Sequence, residues 1–259
     1  MGQKFRTKLF SNRWRAVWGI VLLGALVRGW YLFAPLKTSV TITPDEAVYG
    51  LQALHILRGE HSVFYWAQPY TGTFSAYLSA GLYWLLGMSR IALKVIPYLF
   101  SVGFVFLNYQ LAQKVFGSRK VALAAGVLSA LGTPFWNNWS SRAGSGYPEV
   151  VLVGNLVLLL VIKIVEQDSA TGLATLTQGP PTSPHGSAVP PERSLLPIPP
   201  QLESLLLGVL SGLGFWIQPT IVYYLVPAFA FLLLKKPRQF FSRNLVWLVA
   251  GVALGGAPV

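Results

Sequence analysis

The chain has 259 residues, of which 53% are hydrophobic and 11% are charged, and this composition excludes an ordinary water-soluble domain. The net charge of +12 would suit nucleic-acid binding. However, the basic residues cluster at the ends of apolar runs, where they orient membrane helices, so we expect a lipid bilayer and no nucleic acid as partner. There are no cysteines, which excludes disulfide bonds, thiolate nucleophiles and zinc–thiolate sites.

Apolar runs of membrane-spanning length recur along the chain. A hydrocarbon core of about 30 Å needs roughly 20 residues of apolar helix, and about seven runs reach or approach that length. The N-terminus combines basic residues with an apolar run and has no small-residue cleavage site, so we interpret it as an uncleaved first span. The predicted fold is an all-α integral membrane protein with about seven transmembrane helices at 16–36, 91–115, 120–137, 149–166, 204–218, 220–234 and 244–259.

A further apolar run, 68–88, is interpreted differently. If it crossed the membrane, the basic N-terminus would lie on the opposite side from the two later basic clusters, against the positive-inside rule. The run also contains Gln68 and several hydroxyl side chains, so we expect a helix that lies in the membrane interface. This arrangement predicts a multi-pass protein of the cell (inner) membrane with a cytoplasmic N-terminus, and with 37–90 and 138–148 outside.

The chain divides into three predicted segments. Residues 1–166 form an N-terminal membrane module that carries the outer loops. Residues 167–203 are rich in proline, serine and glycine and predict a disordered cytoplasmic linker, because they cannot bury enough apolar surface to offset the entropy of ordering. Residues 204–259 hold the remaining membrane helices, and since the last run stops at Val259, we expect this part to be incomplete.

The residues Thr43-Pro44-Asp45-Glu46 predict the start of the first of two outer interfacial helices. Thr43 is a natural N-cap, Pro44 suits the first helical position and Glu46 completes a capping box. Asp45 and Tyr49 share one face of this helix at helical spacing. Capping alone explains Glu46, whereas Asp45 has no capping partner and is the stronger candidate for chemistry.

A second acid stands at the outer mouth of a predicted span. In Tyr147-Pro148-Glu149 the acid follows a proline at a helix start, where the helix dipole favours negative charge and where an ionisable group is a functional-site hypothesis. Dipole complementation also explains it without any function. The preceding loop carries Arg142 among glycines and serines, which suits a phosphate ligand. An aromatic belt with an arginine reaching the headgroups explains the same loop without a ligand.

Taken in chain order, these parts resemble the GT-C glycosyltransferases, specifically the protein O-mannosyltransferase and lipid A aminoarabinose transferase group. The similarity covers most of 14–166 and continues more weakly over 204–259. It rests on Pro44-Asp45-Glu46-Ala47 with Tyr49, on Gln68-Pro69, on Val115-Phe116-Gly117 before Arg119, and on Gly146-Tyr147-Pro148-Glu149.

The resemblance implies roles for particular residues. Asp45 would be the base that deprotonates the acceptor, and Glu149 would assist near the donor phosphate. Members of the aminoarabinose type carry a lysine just before the proline where this chain has Ala67-Gln68-Pro69, so one donor-phosphate contact of that group is missing. The implied substrate-binding positions are Glu46, Tyr49, Gln68, Arg142 and Tyr147.

The expected function is therefore transfer of a sugar from a polyprenyl-phosphate donor to a lipid, glycan or protein acceptor outside the cytoplasm. We expect that no cofactor is required. The histidines lack HxxxH or HExxH spacing, so the sequence does not indicate a divalent cation, although it does not exclude one. Two alternatives also stay open. A transporter or lipid flippase would place ionisable residues near the membrane midplane and show internal repeats. A non-catalytic scaffold or fragment would tolerate loss of both Asp45 and Glu149.

Overall fold

The structure is a computed structural model. It describes residues 12–33, 42–66, 68–144, 146–177, 199–237 and 242–258. These residues are almost entirely helical and include one small antiparallel sheet of two strands. In chain order the elements are α1 (Asn12–Phe33), α2 (Pro44–Leu57), β1 (Phe64–Tyr65), β2 (Gln68–Gly72), α3 (Phe74–Leu86), α4 (Arg90–Phe116), α5 (Arg119–Leu131), α6 (Pro134–Trp139), α7 (Tyr147–Thr177), α8 (Pro200–Ile217), a 3₁₀ turn (Pro219–Ile221), α9 (Val222–Lys235) and α10 (Asn244–Gly255).

The length and composition of the helices are those of an all-α membrane protein. Within the described ranges, four helices are long and apolar enough to cross a bilayer, namely α1, α4, α7 and α8. The predicted spans at 220–234 and 244–259 correspond to the shorter apolar helices α9 and α10. The predicted span 120–137 is divided between α5 and α6, because Gly132 takes a φ of +57° and Thr133 then caps the next helix.

The predicted interfacial segment contains both expected helices, but the second begins later than the sequence suggested. The run 68–88 was expected to be helical from its start, whereas residues 68–72 form β2 and pair with β1, and α3 begins only at Phe74. Some of the polar residues that distinguish 68–88 from a lipid-exposed span therefore lie in a strand. Behind the sheet, α2, α3 and the start of α4 enclose a common core around Tyr49, Tyr65, Tyr83 and Leu93.

The predicted linker 167–203 is helical at both of its ends. Helix α7 continues to Thr177, since residues 167–177 contain no proline to end it. Helix α8 already begins at Pro200, where proline suits the first helical turn. The intervening residues 178–198, on which the prediction of disorder chiefly rests, lie outside the described part of the chain.

The main helices alternate in direction, so that several of them begin or end beside α2 and α3; we name this the α2–α3 end. Near the C-terminus of α1, the buried guanidinium of Arg28 donates to Ala130 O at 2.9 Å and Ser129 O at 2.8 Å, the last carbonyls of α5. Helix α4 begins at the same end, where the Tyr98 hydroxyl donates to Ala25 O of α1 at 3.3 Å. Helix α8 ends there too, since the Trp216 indole donates to Val63 O at 3.0 Å.

Helices α8 and α10 run parallel in backbone contact. Their glycines alternate in the seam: a Cβ on Gly208 would lie 2.1 Å from Leu248 O, and one on Gly255 would lie 2.2 Å from Val209 O. Gly212 and Gly251 make equivalent approaches. Such pairs of small residues four apart allow close packing of helices within a bilayer, where the hydrophobic effect offers no driving force.

Candidate active-site cleft

A polar cleft of about 130 Å³ opens at the α2–α3 end. Its walls come from the start of α2, from the sheet, from the loop between α6 and α7, and from the turn after α8. Four of the residues singled out by the sequence line it together, namely Asp45, Gln68, Arg142 and Tyr147. The other lining residues are Thr43, Tyr65, Tyr70, Trp139, Ala143, Gly144 and Gln218.

Asp45 holds its place in the cleft because the start of α2 is firmly capped. The predicted capping box is confirmed: Thr43 Oγ1 accepts from Glu46 N at 3.3 Å, and Glu46 Oε2 accepts from Thr43 N at 2.9 Å. The side chain of Asp45 is exposed. The Tyr65 hydroxyl donates to Asp45 O at 3.3 Å. Burial, and then the negative charge of Asp45, raise the pKa of Tyr65, so this phenol stays protonated as a hydrogen-bond donor at the cleft floor.

Arg142 lies on the opposite wall, in the loop that follows α6. Its guanidinium sits over the ring of Trp139, 5.3 Å from the centroid, and Trp139 in turn meets Tyr147 edge to face at 5.5 Å. These aromatic contacts limit the directions in which the arginine can point. The cleft therefore combines a carboxylate, a guanidinium, amide side chains and phenols within a small volume, a combination that suits a hydroxyl-rich ligand carrying an anionic group.

Tyr49 supports the cleft from beneath and does not line it. The side chain is buried, its ring stacks on Tyr65 at 4.3 Å, and its hydroxyl donates to Gly72 O at 3.3 Å. Burial chiefly, and then the charge of nearby Glu149, raise the pKa of Tyr49. Gly144 lies flat on this ring with a φ of +81°, and a Cβ there would come within 1.9 Å of it. Tyr49, for which the resemblance implied a substrate contact, therefore lies beneath the loop and does not line the cleft.

Glu46 is also buried, and its role extends beyond the helix cap. Its Oε1 lies 2.9 Å from Lys94 Nζ of α4 and accepts from Ala143 N at 3.1 Å. The carboxylate thus links α2, α4 and the loop that carries Arg142. It turns away from the cleft, so the structure does not place it as a substrate contact. Lys94 gave no signal in the sequence, where it is one cation near the start of an apolar run.

Glu149 does not reach the cleft. It is fully buried in the first turn of α7, and its Oε1 accepts from Ser75 Oγ of α3 at 2.7 Å. Its Oε2 has no hydrogen-bond partner among the described residues. Because the first turn of α7 packs against α3, position 149 faces inward, whereas Tyr147 two residues earlier faces the cleft. The contact with a donor phosphate expected for Glu149 has no geometric support.

Sequence reasoning missed several cleft residues. Gln218 is buried, and its Oε1 accepts from Thr71 Oγ1 at 3.2 Å, which ties the turn after α8 to β2. The Gln218-Pro219 break between two apolar runs was a usable signal, because a polar residue at a tight turn between helices has to find a partner. Tyr70, which is 58% exposed, gave no signal beyond its place in the polar part of 68–88.

Within the described ranges, no group of three or more histidine, aspartate or glutamate side chains is arranged to hold a metal ion. Comparison with known proteins adds no assignment: no family model matches the chain, and neither curated proteins nor solved structures give a match. The resemblance to the GT-C glycosyltransferases therefore rests on the motifs of the sequence, and the geometry of the cleft is an independent observation beside it.

Proposed function

We propose that this protein is a membrane glycosyltransferase that moves a sugar from a polyprenyl-phosphate donor onto an acceptor hydroxyl at the extracytoplasmic face. The observation that carries the proposal is the joint presence of Asp45 and Arg142 in one cleft at the end of a bundle of apolar helices. These residues come from distant parts of the chain, and they bring together a carboxylate, which can accept a proton, and a guanidinium, which can bind a phosphate.

In the proposed reaction, Asp45 takes the proton of the acceptor hydroxyl as its oxygen attacks the anomeric carbon. The bond from that carbon to the phosphate oxygen breaks, its electron pair leaves with the polyprenyl phosphate, and the anomeric configuration inverts. A positioned base contributes about 10²–10⁴-fold to such a reaction. Arg142 stabilises the charge on the leaving phosphate, and its fork can hold two phosphate oxygens at once.

Seven crossings, with the cleft outside, form part of the proposal. The alternating helix directions support it, because α5 returns the chain to the α2–α3 end, where α7 begins, and α9 and α10 continue the alternation after α8. The charge distribution supports it as well, since the end of the bundle opposite the cleft carries the larger basic group. That group includes Arg15, Lys114, Arg119, Lys120, Lys163, Lys235, Lys236 and Arg243.

The experiment uses the purified protein in vesicles that contain a radiolabelled polyprenyl-phosphate sugar and a mixture of lipid and glycan acceptors. We expect time-dependent loss of label from the donor, formation of polyprenyl phosphate, and an inverted linkage in the product. Because the class of sugar is not specified by the proposal, one donor that carries a pentose and one that carries a hexose are tested in parallel. An inert protein that retains its normal thermal unfolding transition would contradict the proposal, and movement of intact donor between leaflets would favour the transporter alternative.

A further inference from the structure

The strongest feature outside the cleft is the buried ion pair between Glu46 and Lys94. The side chain of Glu46 is 1% exposed and that of Lys94 is 10% exposed. The carboxylate accepts from four groups: Thr43 N at 2.9 Å, Thr43 Oγ1 at 3.2 Å, Ala143 N at 3.1 Å and Lys94 Nζ at 2.9 Å. These groups belong to the α2 cap, to the loop before α7 and to α4.

Two residues that make these contacts are adjacent in the sequence to Asp45 and Arg142, the two principal residues of the cleft. Glu46 directly follows Asp45, and Ala143 directly follows Arg142. Consecutive Cα atoms are about 3.8 Å apart across a rigid peptide plane, so a hydrogen bond from Ala143 N to Glu46 fixes the backbones of Asp45 and Arg142 relative to each other.

Lys94 makes this arrangement tolerable in an apolar setting. A carboxylate removed from water is strongly disfavoured without a nearby cation, and the reverse holds for an ammonium group. Lys94 projects from the first turns of α4, the longest candidate span that begins at this end. Through Glu46, the two segments that form the cleft walls are thereby connected to α4 of the helix bundle.

We propose that the Glu46–Lys94 pair is a positioning device that sets the separation between Asp45 and Arg142. Lys94 touches neither the donor nor the acceptor, and it acts on transfer through Glu46 and the Ala143 amide. This inference rests on the proposed function for its catalytic consequence, whereas its structural content stands without it. It also changes the expectation from the capping box alone, under which Glu46→Gln would be silent because glutamine still completes the cap.

The experiment compares Glu46→Gln, Lys94→Met and the double variant with Glu60→Gln as the matched control. Glu60 is an exposed acid of the same outer segment, and its partner is His55. Hydrogen exchange is followed by mass spectrometry in peptides covering Ser140–Gly144 and the start of α2. We expect each single variant to raise exchange in both regions roughly tenfold or more, the effect of losing a hydrogen bond to a charged group.

The double variant separates positioning from capping. It leaves no lone buried charge, and the glutamine that replaces Glu46 can still accept from Thr43 N and Ala143 N, so its exchange should be no faster than that of the worse single variant. Exchange in Glu46→Gln equal to that in Glu60→Gln would overturn the inference, and so would full additivity in the double variant.

The KM for the donor is a further readout, because loss of folded protein alone would not change it. Misfolding lowers the active fraction and hence kcat, whereas displacement of Arg142 should also raise KM for the donor, by roughly tenfold. A single variant with faster exchange in the loop and an unchanged donor KM would contradict the catalytic part of the inference. If the wild-type protein transfers no sugar, the exchange result still decides the structural part, so failure of the proposed function is recognised separately.

Discussion

Two adjacent acids at the start of α2 have opposite surroundings. Asp45 projects into the cleft with its side chain exposed, whereas Glu46 is buried against Lys94. The difference follows from helix geometry, since successive residues point about 100° apart around the axis. Position 46 therefore faces α4 and the Ala143 amide, while position 45 faces the cleft. In this arrangement the exposed acid is available for proton transfer and the buried one maintains the architecture.

At the scale of single residues, Arg142→Lys should weaken binding of the donor. Lysine keeps the positive charge, but it loses the planar stacking on Trp139 and the two-point contact with phosphate. We expect KM for the polyprenyl-phosphate donor to rise roughly tenfold, which corresponds to about 1.4 kcal/mol. Steady-state kinetics in vesicles provides the measurement.

The matched control is Arg119→Lys, which makes the same change at the opposite end of the bundle and should leave both kinetic constants as they are. If Arg142→Ala also retained the wild-type kcat/KM, the assignment of Arg142 to the phosphate would be wrong.

Local features at this scale could be predicted from sequence, and contacts between distant residues could not. The Thr43–Glu46 capping box depends on residues three apart, so the pattern alone was sufficient. The Glu46–Lys94 pair and the inward orientation of Glu149 depend on how α2, α4, α3 and α7 pack. No spacing in a single sequence reveals such packing.

At the scale of elements, the loop between α6 and α7 depends on a glycine. Gly144→Ala would place a methyl group within 1.9 Å of the Tyr49 ring and would strain a backbone with a φ of +81°. We expect a loss of about 1–3 kcal/mol from the close contact, in addition to the cost of the backbone strain. Thermal unfolding of the purified protein in detergent measures the difference.

Gly59→Ala controls for the backbone strain, because Gly59 has a similar φ of +85° but no atom within 4 Å of the added Cβ. The variant at Gly144 should therefore unfold at a lower temperature than the one at Gly59. Equal unfolding temperatures would show that the loop does not rest on Tyr49 as described.

The boundaries of elements were predicted less well than their existence. The sequence indicated two helices in 44–88, and both are present, but the second was expected near Pro69. Residues 68–72 form a strand because they pair with Phe64 and Tyr65, a contact that depends on the turn between them. Similarly, 120–137 has the composition of one apolar run, yet Gly132 and Thr133 divide it into two helices.

At the scale of the whole molecule, the proposed topology predicts which positions an impermeant thiol reagent can reach. The chain contains no cysteine, so each introduced cysteine reports alone. In intact cells we expect labelling of Glu60→Cys, and labelling of Lys120→Cys and Ser187→Cys only after permeabilisation. Glu60 and Lys120 are exposed at opposite ends of the bundle, and Ser187 lies in the predicted linker. Labelling of Glu60→Cys and Lys120→Cys from the same side would contradict the proposed topology.

The cleft itself was partly predictable at this scale. The sequence assigned seven residues to one site. Asp45, Gln68, Arg142 and Tyr147 line the cleft, whereas Glu46, Tyr49 and Glu149 do not. The contribution of Gln218 was not predicted, because it depends on α8 ending beside β2. In the described part of the chain four helices are long and apolar enough to cross a bilayer, and which helices do cross stays a prediction.

The most direct test of the central claim is the rate of sugar transfer by Asp45→Asn. The substitution keeps the size and most of the hydrogen bonding of the side chain but removes its capacity to accept the proton. If Asp45 only complements the helix dipole, the cost is about 0.3–1 kcal/mol of local stability and transfer continues. If Asp45 is the base, kcat should fall by about 10²-fold or more, with expression and thermal unfolding unchanged and with Glu60→Gln fully active. An Asp45→Asn enzyme that transfers sugar at the wild-type rate would contradict the proposed mechanism.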